Sequence, residues 1–295
     1  MNSHTMPEIA WPLGLVSNCW RVQLENGIPL GALIAEAVRR RLTVIELRQG
    51  SLGEFESGPH HVPDAGRLAD LGRQFPEVQF NVAIAGPYLS GSVSRSDALF
   101  AAGRDAALAL ANGRPPHLRL VDLQTQPEQC SASSVEVAAH GLVELTESML
   151  EVAGILSVEH ARQPWPWFDS VMHAARRQLG ERSSLLRLCF DPCNLLLTEQ
   201  AEDVAGIVES VEPKDVSMIH VKQRRDGQVQ PNVGDGDLDW PMLLATLRRR
   251  GHAGPVASYG WSRFRVFGKS SRRYGRACPR VVDSIAVRER PTQAR

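Results

Sequence analysis

The sequence predicts a (β/α)8 TIM barrel in a single domain, and three observations predict it. Short apolar runs alternate strictly with longer segments of helical period, eight such runs are complete by about residue 259, and no glycine-rich phosphate loop follows the first of them. Strict alternation implies parallel strands joined by right-handed crossovers. A doubly wound open sheet would want the phosphate loop, and Ser17-Asn18-Cys19-Trp20 is neither a GxGxxG nor a Walker sequence.

The strand candidates are Gly14 to Asn18, Val44 to Leu47, Val78 to Ala83, Leu118 to Asp122, Ile155 to Glu159, Leu186 to Asp191, Val216 to Val221 and Val256 to Tyr259. The intervening segments carry helix punctuation. The first has Pro29 in its opening turn, Leu30, Leu33, Ile34, Ala37 and Val38 on one face, and Arg39 to Arg41 at its closing end. The fourth runs from Ser134 through Leu142 and Met149, and the fifth from about Pro166 to a stop at Gly180. The seventh starts at Asp239, a good N-cap, and ends in Arg248 to Arg250 before Gly251.

A composition of 43% hydrophobic and 22% charged residues excludes a coiled coil, a collagen and wholesale disorder. Lys plus Arg and Asp plus Glu both number 33, so the whole chain lacks the field of a nucleic-acid binder. The balance hides an asymmetry. Residues 256–295 hold ten Lys or Arg against Asp283 and Glu289, a charge of +8, so the first 255 residues carry −8. That basic stretch has no apolar stripe where an eighth helix is due. We expect a barrel domain over 1–260 and an irregular tail over 261–295, a degraded eighth unit of the composition a shifted reading frame yields, with the native frame ending near Ala257. Five cysteines in no paired framework point to the cytoplasm. Neither a signal peptide nor a membrane span is legible, and no membrane partner is expected.

In a barrel, chemistry belongs at the carboxyl ends of the strands. Strand five ends in Val158-Glu159-His160, strand six in Phe190-Asp191-Pro192, and strand seven in His220-Val221-Lys222. By the two-residue period Glu159, Asp191 and His220 share the inward face and converge at the mouth. Two carboxylates and an imidazole suit a divalent metal ion, Mn, Mg, Co or Zn. Each residue alone reads equally as a helix cap or a solvated strand end.

The segments SVEH, FDPCNLLLT, IHVKQ and VGDGDLDW, in this order, with IELRQG on strand two, resemble the xylose isomerase-like TIM-barrel superfamily of sugar phosphate isomerases and epimerases over about residues 12–255. The resemblance implies a divalent metal held by a Glu on strand five, an Asp on strand six, a His near strand seven and a Glu on strand eight. The first three map to Glu159, Asp191 and His220. At the fourth position the chain reads Ala257-Ser258-Tyr259, with Ser258 at or next to the expected place and no carboxylate before Asp283. It also implies proton transfer beside a sugar carbonyl, with Glu159 as ligand and catalytic base on a sugar or sugar phosphate. Lys222 and Arg224 are candidates to hold a phosphate or carboxylate tail, and Trp20 and Trp165 to wall the sugar, each against a packing or surface reading. Arg48, also a substrate-binding candidate, and Glu46 are open to an ion-pair reading. The alternative is a non-catalytic or vestigial sugar-binding barrel; a homo-oligomer is compatible with either. An endonuclease IV-like nuclease would want more His and carboxylate ligands, so nucleic acid is not the expected partner. Cys189 and Cys193 lack the second pair a structural zinc needs. His60 and His61 read as a solvated loop, and His160 as packing.

Overall fold

The computed structural model describes residues 11–199, 201–230 and 233–259. Eight parallel strands form a closed ring: β1 (Leu13–Val16), β2 (Val44–Arg48), β3 (Gln79–Ala85), β4 (His117–Val121), β5 (Ile155–Glu159), β6 (Leu186–Phe190), β7 (Val216–Val221) and β8 (Val256–Ser258). Neighbours in space are neighbours in sequence, and β8 closes the ring by pairing with both β7 and β1. It is only three residues long, yet its register is complete: Val256, Ala257 and Ser258 lie beside Leu13, Gly14 and Leu15. The expected eighth helix and the irregular tail over 261–295, with its composition of a shifted reading frame, lie outside the described residues.

Around the ring run α1 (Leu30–Arg39), α2 (Ala65–Gln74), α3 (Ala98–Ala109), α4 (Val135–Leu150), α5 (Trp165–Leu179), α6 (Ala201–Ser210) and α7 (Trp240–Arg249). Each boundary has a local cause. The carboxylates of Asp64, Asp97 and Asp239 accept from the first-turn amides of α2, α3 and α7, which no intrahelical carbonyl can satisfy. Gly180, at φ +57°, ends α5 in a conformation that a side chain would disfavour. The apolar stripes pack inward against the outer face of the ring, as Leu30, Leu33, Ile34 and Ala37 do on α1 and Leu243, Leu244 and Leu247 on α7.

The main core therefore lies between the strands and the helices. Inside the ring the filling is unusual: a small apolar cluster of Val44, Cys189 and Met218, surrounded by buried polar and charged side chains. Burying charges is expensive unless each is paired, so the interior must be a connected network.

Candidate functional site

The network is built on Arg119, an arginine set between Leu118 and Leu120 on β4 at the inward parity. Its guanidinium is fully buried. It donates to Glu46 on β2 through Nε, at 3.3 Å, and through Nη2, and its Nη1 lies 2.7 Å from Oε2 of Glu159 on β5. Asn81 on β3 adds a contact to Glu46 at 3.4 Å. The expected ion pair of Glu46 is thus formed with Arg119, two strands away.

His220 on β7 sits above this pair, with its two ring nitrogens facing different neighbours. Nε2 lies 3.2 Å from Glu46 Oε2 and 3.3 Å from Cys189 Sγ. Nδ1 lies 3.4 Å from Glu159 Oε1 and 3.7 Å from Asp191 Oδ2. Asp191 divides its oxygens between two tasks. Oδ1 caps the short helix Pro192–Leu195 by accepting from the amides of Cys193 and Asn194, whereas Oδ2 faces the cluster. Asp191 is thus a helix cap whose second oxygen is turned toward the cluster.

Lys222 completes the group. Its Nζ is 2.5 Å from Asp191 Oδ2, 3.5 Å from Glu159 Oε1 and 3.3 Å from Asn194 Oδ1, and Asn194 in turn donates to Glu159 Oε1 at 3.0 Å. The Lys222 contact to Asp191 is close but poorly aligned, and Asp191 Oδ2 is a buried oxygen that accepts no well-formed hydrogen bond.

Electrostatics follow from this enclosure. Burial alone would raise the Glu46 and Glu159 carboxyls, but Arg119 above all, helped by His220 at both and by Lys222 at Glu159, holds them well below the usual carboxylate range. Burial opposes the charge on His220, and Cys189, Tyr259, Glu46 and Glu159 together raise its pKa well above the free value. Lys222 is raised too: burial works against its charge, and Asp191 leads the groups that outweigh burial. Three carboxylates thus face two permanent cations, a deficit that a proton on His220 or an added cation would meet.

The ligand atoms of Glu159, Asp191 and His220 all lie within 4.8 Å of one another, a spacing that one ion could span; Glu46, Cys189 and His220 form a second such group deeper in the ring. The donor types, the charge deficit and the orphaned Asp191 oxygen fit a divalent cation.

On strand eight the register decides which residue takes the fourth corner. Ala257 lies beside the inward-facing His220, so Ala257 and Tyr259 face the interior and Ser258 does not. The corner at the end of β8 is filled by Tyr259, whose ring meets His220 edge-on at 5.0 Å between centroids and lies 4.1 Å from Lys222 Nζ. Arg48 joins it there, donating to the phenol oxygen at 3.5 Å.

The other candidates lie apart. Trp20 is fully buried and packs in the main core. Trp165 packs with His160, Phe168 and Phe190. Arg224 stands on the hairpin after β7 and reaches the Leu196 carbonyl at 3.4 Å, away from the carboxylates. His160 is buried against Gln163, and His61 is an exposed loop residue beside Glu56. Arg119 was not singled out from the sequence; its signal is an inward-parity charge set between Leu118 and Leu120.

Solved structures show the same architecture. The IolI protein with a bound zinc atom superposes with a TM-score of 0.60 at 15% identity, over 84% of this chain and 88% of that one. The chain has the fold of the xylose isomerase-like barrels. A sugar phosphate isomerase/epimerase from Parabacteroides distasonis gives 0.59 at 12% identity, covering 90% and 91% of the two chains. L-ribulose 3-epimerase gives 0.57 at 18%, covering 85% and 82%. No protein-family profile and no curated protein sequence matches the chain. Among the described residues no helix is long and apolar enough to cross a membrane, and the four cysteines are unpaired.

Proposed function

We propose that the chain is a cytoplasmic sugar or sugar phosphate isomerase or epimerase, acting by metal-assisted proton transfer at the carbon beside the sugar carbonyl. The observation that carries this reading is the convergence of Glu159, Asp191 and His220 from three consecutive strand ends onto one buried point. Neighbouring structures named for epimerases and for bound zinc support it. Glu159, Asp191 and His220 would hold the ion, which when bound supplies a charge that polarises the carbonyl and its neighbouring hydroxyl.

The remaining steps belong to the side chains. Arg119 holds Glu159 Oε2, so Oε1, which Asn194 and Lys222 also face, is the oxygen turned toward the ion and the reacting carbon. In the closed arrangement Glu159 is a weak base, because Arg119 and Lys222 stabilise its anion. Lys222 turning from the carboxylates to a substrate oxygen would remove part of that stabilisation and raise the basicity of Oε1 when substrate arrives. Arg48, at the mouth beside Tyr259, is placed to meet the far end of a sugar phosphate.

A second reading, a sugar-binding barrel without catalysis, is favoured by Tyr259 standing where a fourth ligand is expected. Solvent-deuterium exchange separates the two. Incubation in D2O with Mn and a ketose should place deuterium beside the carbonyl, and chelation or Glu159→Gln should abolish it. Exchange indifferent to both would overturn the mechanism, and sugar binding with no exchange would establish the second reading.

A further inference from the structure

The barrel interior has a second end. Below the carboxylate cluster, at the amino ends of the strands, lies an open cavity of about 560 Å³. This floor of a TIM barrel is ordinarily packed and read as structural. Here the strands bring polar groups to it: Gln79 from β3, His117 from β4 and Arg187 from β6, with Lys214 and Arg250 on the rim. Glu212 is the one carboxylate among the described lining residues, and it is engaged with Arg250 at 3.3 Å. Three cations against one anion leave the cavity positive, and a concave wall of one sign focuses that field.

The donors in it are underused. Arg187 gives Nε to the Ser184 carbonyl at 3.0 Å, and no described acid pairs with its guanidinium. His117 is 5% exposed, and its Nε2 lies 2.8 Å from Ser157 Oγ. Its other ring nitrogen meets no described partner. In the tautomer in which Nε2 accepts from the serine hydroxyl, Nδ1–H donates toward the cavity.

We propose that this floor cavity binds a phosphate group, with the Arg187 guanidinium as the main anchor, Lys214 and Arg250 as further cations and His117 Nδ1–H as a neutral donor. A planar guanidinium matches phosphate oxygens two at a time, which suits Arg187 to the leading role. The volume lies within the range of small-molecule pockets, so the phosphate can be carried by a small metabolite. Burial lowers the pKa of His117, Glu46 opposes this, and Arg187 and Arg119 lower it further, to about 4; of these cations Arg187 lines the cavity, where a phosphate would meet it. The site stands at the opposite end of the ring from the proposed reaction and does not depend on it.

Calorimetric titration at fixed ionic strength with inorganic phosphate and with fructose 6-phosphate tests this. Saturable binding is expected, weakened tenfold or more by Arg187→Gln and unchanged by Arg73→Gln, which removes an exposed arginine on α2 paired with Asp70. Tighter Arg187-dependent binding of the sugar phosphate would assign an esterified ligand, and equal Arg187-dependent binding the free ion. In the unsubstituted protein the ring nitrogen resonances of His117 should move on adding phosphate, a readout that needs no variant to fold. The proposal fails if neither probe binds, if Arg187→Gln changes nothing, if Arg73→Gln weakens binding as much as Arg187→Gln does, or if the His117 resonances stay put at saturation.

Discussion

The arc from β5 to β7 and the seam where β8 meets β1 solve the same problem of filling a barrel interior, with opposite chemistry. The arc uses strands of five or six residues and points Ser157, Glu159, Cys189, Asp191, His220 and Lys222 inward. The seam uses strands of four and three residues and offers Gly14, Val16, Ala257 and Tyr259. The arc needs counter-charges from elsewhere, which Arg119 supplies, while the seam needs only close contact between backbones. Loss of charge balance should therefore dominate on one side and loss of fit on the other.

The largest expected effect is at Arg119. Replacement by Met removes the cation shared by Glu46 and Glu159 and leaves two carboxylates buried without it, a kind of change that costs about 3–5 kcal/mol. Urea denaturation should show the midpoint falling with little change in slope. A midpoint within error of the parent would mean that the network is not what holds the interior together.

Next comes acid. His117 packs against Ser157, and burial, opposed by Glu46 and reinforced by Arg187 and Arg119, pushes its pKa down to about 4. The unfolded chain takes up this proton near pH 6.5, before the folded one can, so stability is full above that value and is lost as pH falls toward 4. The loss amounts to about 3 kcal/mol. His117→Gln should flatten the stability curve between pH 6.5 and 4; an unchanged slope would remove the histidine from the account.

On the seam, Gly14 is the sensitive point. A Cβ there would stand 2.6 Å from the carbonyl oxygen of Val44 and 2.8 Å from its Cβ, and backbone on the neighbouring strand cannot yield without opening the β1–β2 pairing. Gly14→Ala should cost about 1–3 kcal/mol, measured as a lower thermal midpoint. The same substitution at Gly206 on α6, where nothing lies within 4 Å of a Cβ, is the control and should be neutral or slightly stabilising.

What was legible in the sequence divides along the same line. All eight strands were visible because each is an apolar run between helix signals, and their ends moved by only one or two residues. Gly14 to Asn18 became Leu13–Val16, since Ser17 already opens a tight turn. The inward parity of Glu159, Asp191 and His220 was readable within single strands. The partners were not. Glu46 and Arg119 are 73 residues apart and meet only once the ring closes around them. The sequence puts Ser258 at or next to the fourth corner, and only the register of β8 with β7, which no local pattern encodes, shows that its neighbour Tyr259 is the residue turned inward there.

The smallest expected effect tests that corner directly. Tyr259 lies at inward parity beside Lys222, its ring against His220, so a carboxylate at this position would be carried toward the cluster on the fourth side. Tyr259→Glu replaces an aromatic edge by an oxygen donor and adds one negative charge to a group already short of cations. Zinc and manganese binding, followed by calorimetry, should tighten by about tenfold, equivalent to about 1.4 kcal/mol. The gain is modest because Lys222 will compete for the new carboxylate, as it does for Asp191. Tyr259→Phe keeps the ring and removes only the hydroxyl, and should leave metal affinity where it was. If both substitutions behave alike, the end of β8 does not reach the ion, and the difference between arc and seam is one of packing alone.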